Sequence, residues 1–309
     1  MPSATTNGAR IRTNTPAENA YNALESSNRN IALRQLRLST GKRINAAEDD
    51  VAGYITVRSI NSRTGTLRSA LNSVGDAKNV AAIIQDSLDN INNLLTQIKD
   101  AVAYATSGVM GTDEKIALAK SAYRLAEQIQ TVVDSTVFGG KQLLGGTFSG
   151  DFVVGFNATN QLLTIGLDLT TGTSEFNIAG NDTSLLFNTG RFAGIDGLNL
   201  LSLNDVNASN LGIFDSSVVS LTLSSISDAL TNVNKIAAYV GGVQNRLSSQ
   251  EDVIKSQITN YSAAASRIED ADVALEQLSL AKSQFLQQAA LTSLTQANQS
   301  PQSFLQLFR

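Results

Sequence analysis

Apolar residues recur along this chain with two different periods, and the switch between them divides it into helix, β and helix. Residues 17–44 carry Tyr21, Leu24, Ile31 and Leu38 at spacings of three and seven, a sparse helical stripe. From about 45 to 106 a second helical stretch follows, with a break expected near Gly65. Its stripe reads Leu67, Leu71, Val74, Ala81, Ile84, Leu88, Ile91, Leu95, Ile98 and Val102, alternating three and four, with one lapse at Lys78. That is a heptad seam. A third helix is expected over about 113–135, through Ile116, Ala119, Tyr123, Ile129 and Val133, after a turn at Ser107-Gly108 and Gly111-Thr112-Asp113.

The texture changes at Phe138-Gly139-Gly140, and 13 of the 22 glycines lie between 139 and 212. Here Phe152, Val154 and Phe156, then Leu163, Ile165, Leu167 and Leu169, alternate with polar positions. Period two predicts half-buried strands, with a hairpin loop at Asn157-Ala158-Thr159-Asn160. Residues 170–222 read as further short strands and loops. Helical period returns near 223, with Ile226, Leu230, Val233, Ala237 and Val240 on one seam, continued by Leu247, Ile254, Ile258, Tyr261, Ala265 and Ile268. Gln244 and Glu251 interrupt it. A last helix, 270–299, carries Leu275, Leu278, Phe285 and Ala289 and is expected to stop at Pro301.

Long apolar-striped helices must bury their stripes, so the returning helices are expected to pack antiparallel on the outgoing ones. The fold class is therefore mainly α: a long antiparallel helical coiled-coil rod with a β-rich insert in the middle of the chain. The terminal pair, with its thin stripe, is expected to be disordered in the monomer and to fold when neighbours complete its core.

Composition narrows the function. The 309 residues include no Cys, His or Trp, which removes disulfides, thiol and imidazole catalysis and most transition-metal sites. Charged residues are 16%, against roughly 25% in an average globular chain. Residues 1–44 hold Arg10, Arg12, Arg29, Arg34, Arg37, Lys42 and Arg43 against Glu18 and Glu25, whereas 138–222 hold two cations against seven acids. The net charge of −4 lacks the basic bias of a nucleic-acid binder. No run approaches the ~20 apolar residues of a membrane span, and no apolar signal segment stands near the start.

The acidic clusters Glu48-Asp49-Asp50 and Glu269-Asp270 with Asp272 could hold Mg²⁺ or Ca²⁺ or serve as acid and base. Carboxylates at helix starts or in inter-subunit ion pairs explain them more simply. Leu144-Gly145-Gly146 fits no phosphate-loop pattern. The glycosylation triplets at Asn157, Asn181 and Asn207 are expected by chance in a chain so rich in Asn, Ser and Thr. No catalytic, cofactor or metal residue is expected.

Two segments carry a resemblance. Residues 36–53 read Leu-Arg-Leu-Ser-Thr-Gly-Lys-Arg-Ile-Asn-Ala-Ala-Glu-Asp-Asp-Val-Ala-Gly. Residues 266–309 open Ser266-Arg267-Ile268-Glu269-Asp270-Ala271-Asp272, continue through Gln287-Gln288-Ala289 and Gln296-Ala297-Asn298-Gln299, and end Leu305 to Arg309. Both are similar to the terminal signatures of bacterial flagellins, and Thr136 to Leu144 resembles the family's turn between the third helix and the β region.

The resemblance implies a secreted structural subunit that self-assembles through its terminal helices into the flagellar filament used for swimming. A hook–filament junction protein is the alternative. An adaptor or chemosensor coiled coil would not explain signatures at both ends, and an inserted metallopeptidase needs a His-Glu motif. Residues 1–44 and 270–309 would form the inner core, 45–175 and 223–269 the outer helical domain, and 176–222 a short variable outer segment. Self-assembly would rest on Leu24, Ile31, Leu38, Arg43, Asp49, Asp50, Arg267, Glu269, Asp270, Leu278, Phe285, Leu294, Phe304, Leu307 and Arg309. Implied partners are further copies of the chain, an export chaperone, the filament cap and hook-junction proteins, with no nucleic acid and no membrane insertion. Activation of the vertebrate Toll-like flagellin receptor would be weak, because its expected contacts fall at Gln97, Ala101 and Lys120 instead of Arg, Leu and Glu.

Overall fold

A computed structural model describes residues 14–107, 110–146, 148–156, 162–169, 187–188, 191–192, 195–196, 211, 214 and 219–307. The helices are α1 (Thr15–Thr40), α2 (Val51–Ala105), α3 (Thr112–Ser135), α4 (Val219–Glu269) and α5 (Val273–Leu307). Between α3 and α4 lie β1 (Val137–Phe138), β2 (Lys141–Gln142), β3 (Ser149–Phe156), β4 (Leu162–Asp168), β5 (Phe187–Asn188), β6 (Arg191–Phe192) and β7 (Ile195–Asp196). The strands form antiparallel sheets β1-β2, β3-β4 and β5-β6-β7. Among the described residues no helix is long and apolar enough to cross a membrane. The chain divides into two compact units: Met1–Thr64 with Thr259–Arg309, and Gly65–Ile258.

In the second unit the predicted seams are the core. Val74, Ala81, Ile84, Leu88, Ile91, Leu95, Ile98 and Val102 of α2 are wholly buried. They share one cluster with Ala119, Ala122, Ala126, Ile129 and Val133 of α3 and with Ile226, Val233, Val240, Leu247 and Ile254 of α4. The lapse in the α2 seam meets one of the two in the α4 seam: Lys78 Nζ lies 2.7 Å from Glu251 Oε2. Further along, Asn92 Nδ2 donates to Asn234 Oδ1 at 2.6 Å, so the two helices run antiparallel here. Lys255 and Lys78 together hold the Glu251 carboxyl down to about 2. A polar pair set in an apolar seam favours this register, because a shift would separate the two charges.

The hairpin pairs Phe152 with Ile165 and Gly150 with Leu167. A bulge between Val153 and Gly155 adds one residue to β3. Val154, Ile165 and Leu167 join the helical cluster, while Leu163, beyond the bulge, is exposed. The hairpin loop expected at 157–160 lies outside the described residues, as do the triplets at Asn181 and Asn207.

Besides the start of α2, at Val51 rather than about 45, three features differ from the sequence reading. The expected break near Gly65 is absent, and α2 runs unbroken through it; one interior glycine costs only about 1 kcal/mol, less than the seam beyond it gains by burial. The first helix ends at Thr40 rather than 44, because Gly41 adopts φ +70 and caps it in the left-handed conformation.

The third difference is at Pro301, where α5 continues to Leu307. An interior proline has no N–H for the carbonyl four residues earlier. That carbonyl belongs to Ala297, and Asn14 Nδ2 donates to it at 2.8 Å. Asn14 also caps α1, its Oδ1 accepting from the Ala17 N–H at 3.2 Å. One side chain thus closes the start of α1 and satisfies the carbonyl orphaned in α5.

Candidate assembly surface

The first unit is built on the antiparallel pair α1 and α5, whose Cα atoms approach within 8 Å at many positions. Its seam is made of small and polar residues. Ala20, Ser27 and Arg34 recur every seven residues on α1, and Glu276, Ser283, Ala290 and Ala297 do so on α5. Ala20, Ser27, Glu276, Ser283 and Ala290 are buried. Leu24, Ile31 and Leu38, with Leu280 and Leu294, flank this line half-buried. Small side chains let the two backbones come close, which leaves the larger apolar groups no room between them.

The large groups of α5 therefore point outward. Leu275 is 60% exposed, Leu278 69% and Phe285 72%. With Ala289 they recur at three, seven and four residues, a stripe on the face opposite Glu276, Ser283 and Ala290. A water-soluble helix normally reverses this arrangement.

One buried carboxylate anchors the seam. Glu276 receives Arg34 in bidentate fashion, Nη1 donating at 3.0 and 2.8 Å, and Arg37 Nη1 at 3.4 Å. Arg37 Nη2 also lies 3.8 Å from Asp49 Oδ1. The Asn45 and Ala46 N–H groups donate to Asp49 Oδ2 at 2.9 and 3.1 Å. These bonds, with the Arg37 charge, hold the Asp49 carboxyl below its usual range.

A backbone strap joins the ends of α1 and α4. The Arg43 N–H donates to Glu269 O at 2.6 Å and the Ala271 N–H to Gly41 O at 2.9 Å. Arg43 Nη2 donates to Ile268 O at 2.8 Å, and Lys42 Nζ lies 2.6 Å from Glu269 Oε1. Asp50 Oδ1 accepts from the Gly53 N–H at 3.0 Å, capping α2. Asp272 Oδ1 accepts from Ala274 and Leu275, capping α5. The Ser266 hydroxyl donates to Asp270, and Arg267 is exposed in the last turn of α4, where a cation complements the helix dipole. Of the acids weighed above as metal or acid–base groups, Asp49, Asp50, Glu269, Asp270 and Asp272 are thus engaged in caps, ion pairs or hydrogen bonds, and Glu48 is exposed. Among the described residues no group of three or more His, Cys, Asp or Glu is placed to hold a metal ion.

Gly53 is fixed by a close approach. A Cβ there would lie 2.6 Å from Ile44 Cδ1 and 2.7 Å from Asp50 Oδ2. Gly53→Ala is expected to lower the stability of this unit by about 1–3 kcal/mol, the cost of overpacking. Gly65→Ala meets no atom within 4 Å and is expected to gain up to about 1 kcal/mol. Denaturant titration followed by circular dichroism reads both.

Of the residues expected to carry assembly, Arg43, Glu269 and Asp270 meet in the strap, and Asp49 joins the Glu276 cluster through Arg37. Asp50 caps α2, and Leu278 and Phe285 stand clear of all of these. The backbone of Phe304 and Leu307 belongs to α5, and Arg309 lies outside the described residues. Sequence reasoning missed Arg34, Arg37 and Glu276. The signal for them was the seven-residue recurrence of small side chains, which a search for large apolar groups passes over.

The chain matches two descriptions from one family: the bacterial flagellin N-terminal helical region over residues 11–149, and the bacterial flagellin C-terminal helical region over 223–308. It is 30% identical to the flagellin of Bacillus subtilis (strain 168), over 97% of this chain and 100% of that one. The chain belongs to the bacterial flagellin family. The flagellar filament 33 kDa core protein of Treponema phagedenis is 25% identical, over 97% of this flagellin and 99% of its own length. A solved structure from Vibrio parahaemolyticus, assigned as a flagellar hook-associated protein, shares the fold with a TM-score of 0.53 at 13% identity. It covers 72% of this flagellin and 100% of that chain. The full-length relatives are flagellins and a filament core protein, which favours the filament over the hook junction. This flagellin is a structural subunit that self-assembles into the flagellar filament, the organelle of motility.

Proposed function

We propose that subunits join through the outward face of α5, with Leu278 and Phe285 as its centre, and that residues 1–44 and 270–309 form the filament's inner core. The observation that carries this reading is the inverted amphipathicity of α5: Phe285 at 72% exposed beside a buried Ser283. Burying a side chain of that size contributes about 1.5–3 kcal/mol per subunit, and the gain is collected only when a neighbour covers it. Leu24, Ile31, Leu38 and Leu294, half-buried beside the seam, would be covered further as neighbours close on the pair, and Phe304, Leu307 and Arg309 would add to the assembly contacts. The strap residues Arg43, Asp49, Asp50, Arg267, Glu269 and Asp270 would join the terminal pair to the start of α2 and the end of α4 within its own unit, and residues 45–175 and 223–269 would form the outer layer. Residues 176–222 would be the short variable outer segment. In the free monomer the terminal pair would be largely unfolded and would fold on joining the filament.

Secretion would proceed through the flagellar export apparatus as an unfolded chain, attended by a chaperone and received by the filament cap and hook-junction proteins. A chain without cysteine suits that passage. Gln97, Ala101 and Lys120 would make it a weak activator of the Toll-like flagellin receptor, which a reporter-cell assay with purified monomer reads; strong signalling counts against this.

The assembly face is tested by seeded growth. Phe285→Ser is expected to leave the monomer's thermal transition within about 0.5 kcal/mol, as an exposed substitution should. The critical concentration for growth should rise at least about tenfold, equivalent to losing roughly 1.4 kcal/mol of contact. Growth at the unaltered concentration would remove the α5 face from the interface.

A further inference from the structure

We infer that Glu276 is the positioning residue of the terminal pair: with Arg34 and Arg37 it sets the register in which α5 lies along α1, and so the direction in which the assembly stripe faces. The inference rests on the reading of that stripe as the assembly face.

The seam itself is poor at specifying register. Pairing of residue 34 with 276 puts Ser27 opposite Ser283 and Ala20 opposite Ala290. A slide by one heptad puts Ser27 opposite Ala290 and Ala20 opposite Ala297, which is sterically as acceptable. Small side chains recurring every seven residues therefore fit in more than one alignment. Leu24 and Ile31, seven residues apart, and Leu280 and Leu294, two heptads apart with Gln287 between, flank the seam half-buried.

The charges are not periodic. In the slid alignment Arg34 faces Ser283, and the guanidinium loses its bidentate carboxylate. In the observed one, Glu276 is among the buried polar groups of the unit and accepts from two arginines. Arg37 carries the alignment on to Asp49 and thus to the turn that starts α2. A buried ion pair adds little net stability compared with apolar residues of similar size, but its loss from a wrong alignment is costly, which makes it a register device. The strap at residues 41–43 and 268–271 fixes only the end of the pair, and the Glu276 cluster extends that alignment onto the helices themselves.

The chain contains no cysteine, so the register can be fixed by design. Glu276→Gln in the full chain is expected to raise the critical concentration for seeded growth at least about tenfold, because two half-buried arginines lose the buried carboxylate between them. Two cross-links are then compared in that background, each oxidised before seeding. Ser27→Cys with Ser283→Cys locks the observed register, and Ser27→Cys with Ala290→Cys locks the slid one. The loops they close are nearly equal, so their effects on the unfolded chain are alike.

Rescue of growth by the first and not by the second is the expected result. Equal rescue by both shows that Glu276 only stabilises the pair. Rescue by neither, or growth of Glu276→Gln at the unaltered concentration, overturns the positioning role as well. Phe285→Ser separates this from the assembly reading: if it stops growth while Glu276→Gln does not, only the present inference fails.

Discussion

Deleting residues 270–309 leaves a soluble monomer that does not extend filament seeds. The deletion removes α5 whole, and with it the stripe of Leu275, Leu278 and Phe285. It also strips α1 of the helix it packs along: Ala20 and Ser27 lose their cover, and Arg34 and Arg37 lose Glu276. A lone 26-residue helix with so thin an apolar stripe is marginal in water. The truncated chain should therefore gain no helical content when seeds are added, whereas the full chain does. No residue of α5 belongs to the cluster that holds the second unit together, so that unit's thermal transition should stay within a few degrees. Calorimetry reads the transition and electron microscopy the seeds. Long filaments from the truncated chain would refute assembly through the terminal helices.

Leu88→Ala acts on the other unit. Leu88 is wholly buried in α2, in one cluster with residues of α3, α4 and the hairpin. Loss of a leucine side chain from such a site costs about 2–5 kcal/mol, depending on how far the neighbours close the cavity. For a unit of this size each kcal/mol shifts Tm by roughly 2–4 °C, so a fall of about 4–20 °C is expected. The α5 stripe is untouched, and below the lowered Tm the variant should still extend seeds. A fall of less than about 2 °C would mean that the α2 seam is not the core of this unit.

The two units were legible to very different degrees, for a physical reason. Ile84, Leu88, Ile91, Leu95, Ile98 and Val102 announce their heptad because a seam between helices at ordinary separation is filled with large apolar side chains. Even its defects were informative, since Lys78 and Glu251, each an interruption in its own helix, turn out to be partners. The hairpin was readable by the same logic at period two. In the terminal pair, by contrast, the largest apolar residues of α5 mark the wrong face, and only Leu24, Ile31, Leu38 and Leu294 flank the seam. Tyr21, Leu278 and Phe285 point outward, and the true seam consists of Ala20, Ser27, Ser283 and Ala290, which no hydrophobicity pattern distinguishes from surface.

That reversal is itself the functional signal: large apolar groups drawn on one helix face and absent from its intramolecular contact belong to an intermolecular one. Gly41 and Pro301 show the limits of local rules. The glycine ended α1 earlier than the pattern implied. The proline failed to end α5, because Asn14, nearly the whole chain away, supplies the hydrogen bond it withholds.

The most direct test of the whole account is negative-stain electron microscopy of the purified full chain after addition of filament seeds, alongside circular dichroism of the same sample. Long tubular filaments, with helical content rising as monomer is consumed, are the result expected. Persistent monomers or short stubs whose helices are already fully formed would contradict assembly driven by the terminal pair.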